Sequence, residues 1–132
     1  MNRELRPEHL APPAAAYAHG IEVPAGSRWV VTSGVVPTRP DGSTPMSMAE
    51  QAATAWANIA LILADANMSV VDIVSITTYV VATADLAGDL REVMAARDVA
   101  LQGHRAASTL VTVPALARPE WKMEIAVIAA KS

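Results

Sequence analysis

The stretch VVDIVSITTYVV, residues 70–81, constrains the fold of this 132-residue chain more than any other. Its β-branched side chains are stiff at χ1 and suit a pleated, packed backbone. Alternation places Ile73, Ser75, Thr77 and Tyr79 on one face and Val74, Ile76, Thr78 and Val80 on the other. Apolar groups stand on both faces, so a sheet containing this strand needs cover on both sides.

The flanking segments can cover one side. In SMAEQAATAWANIALILADANM, Ser47 is a candidate N-cap with Glu50 three residues on, the spacing of a capping box. Ala52, Ala53, Trp56, Ile59, Ala60 and Leu63 then recur at helical spacing as one apolar stripe, and the helix is predicted to end near Asn67. A second helix is predicted over about 85–101, with Leu86, Leu90, Val93, Met94, Arg97 and Leu101 in phase. Gly88 weakens it by about 1 kcal/mol relative to alanine without breaking it.

Further strands are predicted over 17–23, 29–36, 108–113 and 121–130. Gly34 falls inside the second of these, where a missing Cβ admits a bulge or lets another group approach the backbone closely. The first sixteen residues, with Pro7, Pro12 and Pro13 and no period, read as an extended arm or surface loop. The order strand, strand, helix, strand, helix, strand, strand fits an α+β domain over 1–132, two helices on one mixed or antiparallel sheet. The other sheet face is left without a partner, and self-association is the simplest way to cover it.

Composition narrows the function classes. With 52% hydrophobic and 17% charged residues the chain is expected to fold, and its apolar runs are broken before membrane-spanning length. The net charge of −3 and ten scattered Lys and Arg residues argue against nucleic acid as a partner. There is no cysteine, and MNRELRPEHLAPP lacks the apolar core of a secretory signal, so a cytoplasmic location is the default expectation. His9, His19 and His104 are too isolated to suggest a metal centre, and no glycine-rich phosphate loop suggests a nucleotide cofactor.

Four places carry candidate chemistry. Glu124 interrupts the apolar strand WKMEIAVIAA, on the parity of Lys122, Ala126, Ile128 and Ala130. It is either a carboxylate at the wet end of the strand, paired with Lys122 or an arginine, or a general acid/base in a small cleft. Ser108 and Thr109 open a strand, where hydroxyls often satisfy local backbone groups. Arg105, three residues earlier, is a carboxylate-binding fork or a solvated loop charge. Tyr17 is a core aromatic or a cleft residue.

The ordered segments AYAHGI, WVVTSGVVP, QAATAWANIALILADANMSVVDIV, TTYV and AASTLVTVPALARPEWKMEIAVIA resemble the RidA family, also called the YjgF or UK114 family. The resemblance implies a chorismate-mutase-like α+β domain, a homotrimer whose sheets form a central barrel, and three clefts between neighbouring subunits. It also implies hydrolytic deamination of small enamines or imines without a cofactor, or binding of a small molecule in the same clefts. By this resemblance Glu124 positions water, while Tyr17 and the Ser33–Gly34 backbone help form the cleft. The family's carboxylate-binding arginine, in P-A-R-S, aligns with Ser108 in A-A-S-T. Arg105 is then expected at the rim, the usual asparagine of the second helix is replaced by Leu90, and Val35 stands where glutamine is common. These departures imply a less anionic ligand.

Overall fold

The computed structural model describes residues 1–132, with every predicted helix and strand present but several boundaries moved. β1 (Arg3–Glu4) pairs antiparallel with β2 (Ile21–Glu22), and β3 is Arg28–Val31. Then come α1 (Met48–Asp65), a 3-10 turn (Val70–Asp72), β4 (Ile73–Val81), α2 (Leu86–Leu101), β5 (Ala107–Val113) and β6 (Met123–Lys131). The main sheet has the order β3-β6-β4-β5, with β4 and β5 parallel and the other neighbours antiparallel. The parallel pairing of β4 and β5 accounts for α2, since a parallel pair requires a long connection.

Both helices pack on one face of this sheet. Ile76 and Val80 of β4 and Met123, Ile125, Val127 and Ala129 of β6 point into the core with Ala52, Ala55, Trp56, Ile59 and Leu63 of α1. On the opposite face stand Trp29 and Val31, 56% and 71% exposed, beside Ala126, Ile128, Thr77 and Tyr79. This is the uncovered face expected from the double-sided pattern of β4. A register shift between Ile73 and Ser75 corrects the simple alternation, because the extra residue Val74 returns Ile73 to the helix-covered face opposite Ala129.

Three further expectations are revised. The N-terminal arm is anchored as a two-stranded ribbon, with the Leu5 N–H donating to Gly20 O at 3.0 Å. Ser47 Oγ does accept from the Glu50 N–H at 3.1 Å, but the Glu50 carboxylate turns to Arg39 at 3.7 Å instead of closing the capping box. In α1, Ala53 and Ala60 face outward while Gln51 is completely buried. The Gln51 amide donates to Pro45 O (2.8 Å) and Glu120 O (2.9 Å) and accepts from Lys122 N (2.8 Å), so its burial leaves no polar group unpaired. It fastens two loops to α1 just before β6 begins.

Candidate functional site

The predicted strand 29–36 breaks where the site residues lie. Val31 pairs with Ile128, the Thr32 N–H donates to Val127 O, and the ladder resumes only at the Val35–Ile125 bridge. Two residues, Ser33 and Gly34, thus oppose the single residue Ala126, which is a bulge. Thr32 stabilises it, its Oγ1 accepting from the Val127 N–H at 3.0 Å and donating to Ser33 O at 2.7 Å. Asn58 of α1 holds the far side by donating to Val36 O and Thr38 O at 3.2 and 2.9 Å. The N–H groups of Ser33 and Gly34 are left without a protein acceptor at the surface.

Glu124 lies over this bulge. A Cβ built on Gly34 would fall 2.9 Å from Glu124 Cδ and Oε2 and 3.1 Å from Oε1, closer than real side chains approach. A Cβ here would fit only if the Glu124 carboxylate swung aside, so the close approach anticipated from Gly34 is made by Glu124. Tyr79 sits directly across the β4–β6 ladder from Glu124, on the uncovered face. Tyr79 belongs to no motif in the sequence, and its parity with Ser75 and Thr77 is the one local signal of its place. The pairing of Glu124 with Lys122 does not form: Lys122 Nζ donates to Met46 O at 2.6 Å, and Glu124 takes part in no ion pair.

A second group of predicted residues gathers at the start of β5. Arg105 is neither a solvated loop charge nor a free fork. Its Nε donates to Glu4 Oε1 at 3.2 Å and its NH2 group to Tyr17 O at 2.6 Å, while Glu4 also receives Arg6 at 3.1 Å. Both guanidiniums hold the Glu4 carboxyl below the usual range, the hydrogen bond from Arg6 contributing most. Tyr17 is half-buried, its hydroxyl accepts from Ala14 N at 3.3 Å, and its ring meets His19 edge-on at 6.0 Å. The neighbouring Ala18 bridges to Ala107, which fixes this segment along the edge of β5.

The remaining predicted residues separate by face. Ser108 pairs with Ile76 and therefore lies on the helix-covered side of β5, whereas Thr109 pairs with Thr77 on the uncovered side. Leu90 packs from α2 against the core. The two groups are also far apart along the strands. Arg105 is level with the beginning of β4 and Glu124 with Tyr79, six residues further, which is roughly 20 Å at strand rise. One protomer therefore holds the Arg105, Glu4 and Tyr17 group and the Glu124 and Gly34 group at opposite ends of its sheet. Of the histidines, His19 Nε2 is taken by Ala11 O at 2.7 Å and His104 Nε2 by Ile73 O at 2.8 Å.

A family model described as endoribonuclease L-PSP matches residues 8–131. No curated protein matches the chain. Among solved structures, the chain is similar to YyfB from Yersinia pestis, a protein of unknown function of the conserved Rid family, at 26% identity and a TM-score of 0.87 over 98% of both chains. It is similar to the YjgF gene product of E. coli at 28% identity and a TM-score of 0.72, covering 98% of this chain and 99% of that one. E. coli TdcF with bound serine matches at 25% identity, a TM-score of 0.72 and the same coverage. With nearly its whole length matched, its two helices on a mixed sheet and these relatives, the chain belongs to the endoribonuclease L-PSP family, that of RidA, YjgF and UK114.

Proposed function

We propose that this chain is a one-domain, homotrimeric hydrolytic deaminase acting on a small imine or enamine, or a related C=N compound, in clefts between neighbouring subunits. The observation that carries the proposal is the Glu124 carboxylate, unpaired and pressed against the Gly34 backbone beside two N–H groups that donate to nothing. A protonated imine needs a positioned water, a group that moves protons and donors for polar atoms, and no external cofactor. An enamine first takes a proton on carbon to become the imine. Glu124 then accepts a proton as water oxygen bonds to the imine carbon. It returns that proton to nitrogen, and as the C–N bond of the tetrahedral adduct breaks Glu124 takes the hydroxyl proton, so that a carbonyl forms and ammonia leaves, carrying that proton away as ammonium.

The trimer is supported by the apolar sheet face around Trp29, Val31 and Ile128, which lacks cover in one chain. It would also bring the half-site of one subunit, with Ser33, Gly34 and Glu124, near that of another, with Tyr17, Arg105, Ser108 and Thr109. Leu90 would act from behind the cleft as packing. The endoribonuclease description gains no support from the charges, since every Lys and Arg except Arg91 turns to a local carbonyl or carboxylate, and one free arginine makes no track for phosphates. A second reading, a non-enzymatic small-molecule-binding or regulatory protein using the same clefts, is favoured by the occupied state of Arg105.

The test is Glu124→Gln, which keeps the shape and removes proton transfer. Hydrolysis of a panel of small imines should fall about 100-fold or more. Unchanged turnover would end the catalytic role, and an inactive parent that still binds panel members would favour the binding protein. Sedimentation equilibrium should give three chain masses, and a stable monomer would remove the intersubunit site.

A further inference from the structure

We infer that Glu4 is a specificity-determining residue: its carboxylate occupies Arg105 in place of a ligand's, so that the cleft takes neutral C=N compounds in preference to carboxylate-bearing ones. This inference rests on the intersubunit site proposed above. Glu4 is held at both oxygens, Oε1 by Arg105 Nε at 3.2 Å and Oε2 by Arg6 Nε at 3.1 Å. Its side chain is only 16% exposed and that of Arg105 31%, so water competes for the pair less than at an open surface. The β1–β2 ribbon fixes the Glu4 backbone opposite Ile21, and the Tyr17 carbonyl fixes the guanidinium from the other side. The carboxylate is thus a built part of the fold and not a passing surface contact.

The other cations are engaged except Arg91, which is exposed on α2 and so stands on the helix side of the sheet, away from the uncovered face. Lys122 donates to Met46 O, Lys131 to Asn67 O and Arg28 to Ala66 O. Arg39, Arg97 and Arg118 face Glu50, Asp98 and Glu120, and Arg3 faces Glu22. Ser108, on the helix-covered side, offers at most a neutral hydroxyl. The uncovered face beside Glu124 instead presents Tyr79 and Thr77 with the free N–H groups of Ser33 and Gly34. A ligand carboxylate placed there would meet the charge of Glu124 with no cation to balance it. Uncharged carbonyl, amide or hydroxyl groups match these donors and acceptors.

Propionate and propionamide, alike in size and differing in charge, test this on the full-length protein. Binding is followed through the Nε–H signals of the 15N-labelled arginines, assigned with Arg105→Ala. In the parent, propionate should leave the Arg105 signal unmoved. In Glu4→Gln it should bind about tenfold or more tightly than in the parent and shift that signal, the scale of one charge-assisted hydrogen bond. Adding Arg105→Ala should abolish the gain, and propionamide should bind alike throughout. Glu22→Gln, which frees Arg3 on the same ribbon, should gain nothing. Glu4→Asp, with its shorter reach, should gain an intermediate amount if Glu4→Gln does not fold. The inference is overturned if the parent already binds propionate at Arg105, if folded Glu4 variants gain nothing, or if Glu22→Gln or the double variant gains as much. None of these readings requires turnover, so a parent that hydrolyses no imine would refute the deaminase proposal and leave this one to its own test.

Discussion

The two ends of the sheet treat charge in opposite ways. At the Glu124 end a carboxylate is kept free of any cation, and the backbone opposite it is stripped of a Cβ to make room. At the Arg105 end one carboxylate serves two guanidiniums, and a backbone carbonyl takes a further donor. The first arrangement leaves a group available to an incoming molecule, whereas the second fastens the amino-terminal ribbon to β5. The lesson is that a charged residue's partners, and not its presence in a plausible segment, decide which role it has.

The largest expected effect falls on the brace behind the free end. Gln51→Ala should cost about 3 kcal/mol in chemical denaturation, because it leaves two carbonyls and one N–H unpaired and opens a cavity. A loss under about 1 kcal/mol would mean that water replaces the amide. Next comes the pair of matching swaps: Glu124→Gln should lower imine turnover about 100-fold with little change in Tm, the mark of a group used in the reaction. Glu4→Gln should leave turnover of a neutral imine nearly unchanged and lower stability by under about 1 kcal/mol, as partly exposed ion pairs do. If the two swaps behaved alike, the contrast between the ends would fail.

Gly34→Ala is intermediate, since the new Cβ would push the carboxylate away from the bulge. About a tenfold fall in turnover is expected from such a displacement, and a crystal structure of the variant should show Glu124 rotated out. The smallest effect is one of pH. Arg6 and then Arg105 hold the Glu4 carboxyl below its usual range, so the unfolded state binds its proton first as pH falls. The contribution of Glu4 is therefore complete above about pH 4.3, the ordinary glutamate value, and is lost only as pH drops through the lower folded value. The protection factor of the Leu5 amide, whose N–H donates to Gly20, should hold at about pH 4.3 and fall below it, and Glu4→Gln should abolish that dependence.

Much of the architecture was legible because it rests on short-range patterns. The period of α1 and the double-faced run of β4 mark the covered and uncovered faces, and the alternation of β6 puts Glu124 on the parity of Ala126 and Ile128. What escaped depends on residues distant in sequence. Nothing local in RELRP indicates that Glu4 meets Arg105, 101 residues away, or that Gln51 sits in the core instead of facing water. The side taken by Ile73 departs from simple alternation because a bulge leaves no mark in a β-branched run. Gly34 announced a close approach but could not name Glu124 as the visitor. Ser108 was placed correctly at the opening of β5, yet which face it takes follows from the parallel pairing with Ile76.

The burial of Gln51 also has a consequence for how the chain reaches this structure. Its amide joins α1 to Glu120 and Lys122, 69 and 71 residues later, so these bonds cannot form until most of the chain has collapsed around the helix. Such distant contacts repay the entropy of loop closure only late, after local helices and hairpins are in place. The bonds that fasten the segment before β6 to α1 are accordingly among the last to form, and a protein caught before that step would have its local helices and turns but leave the approach to β6 untied.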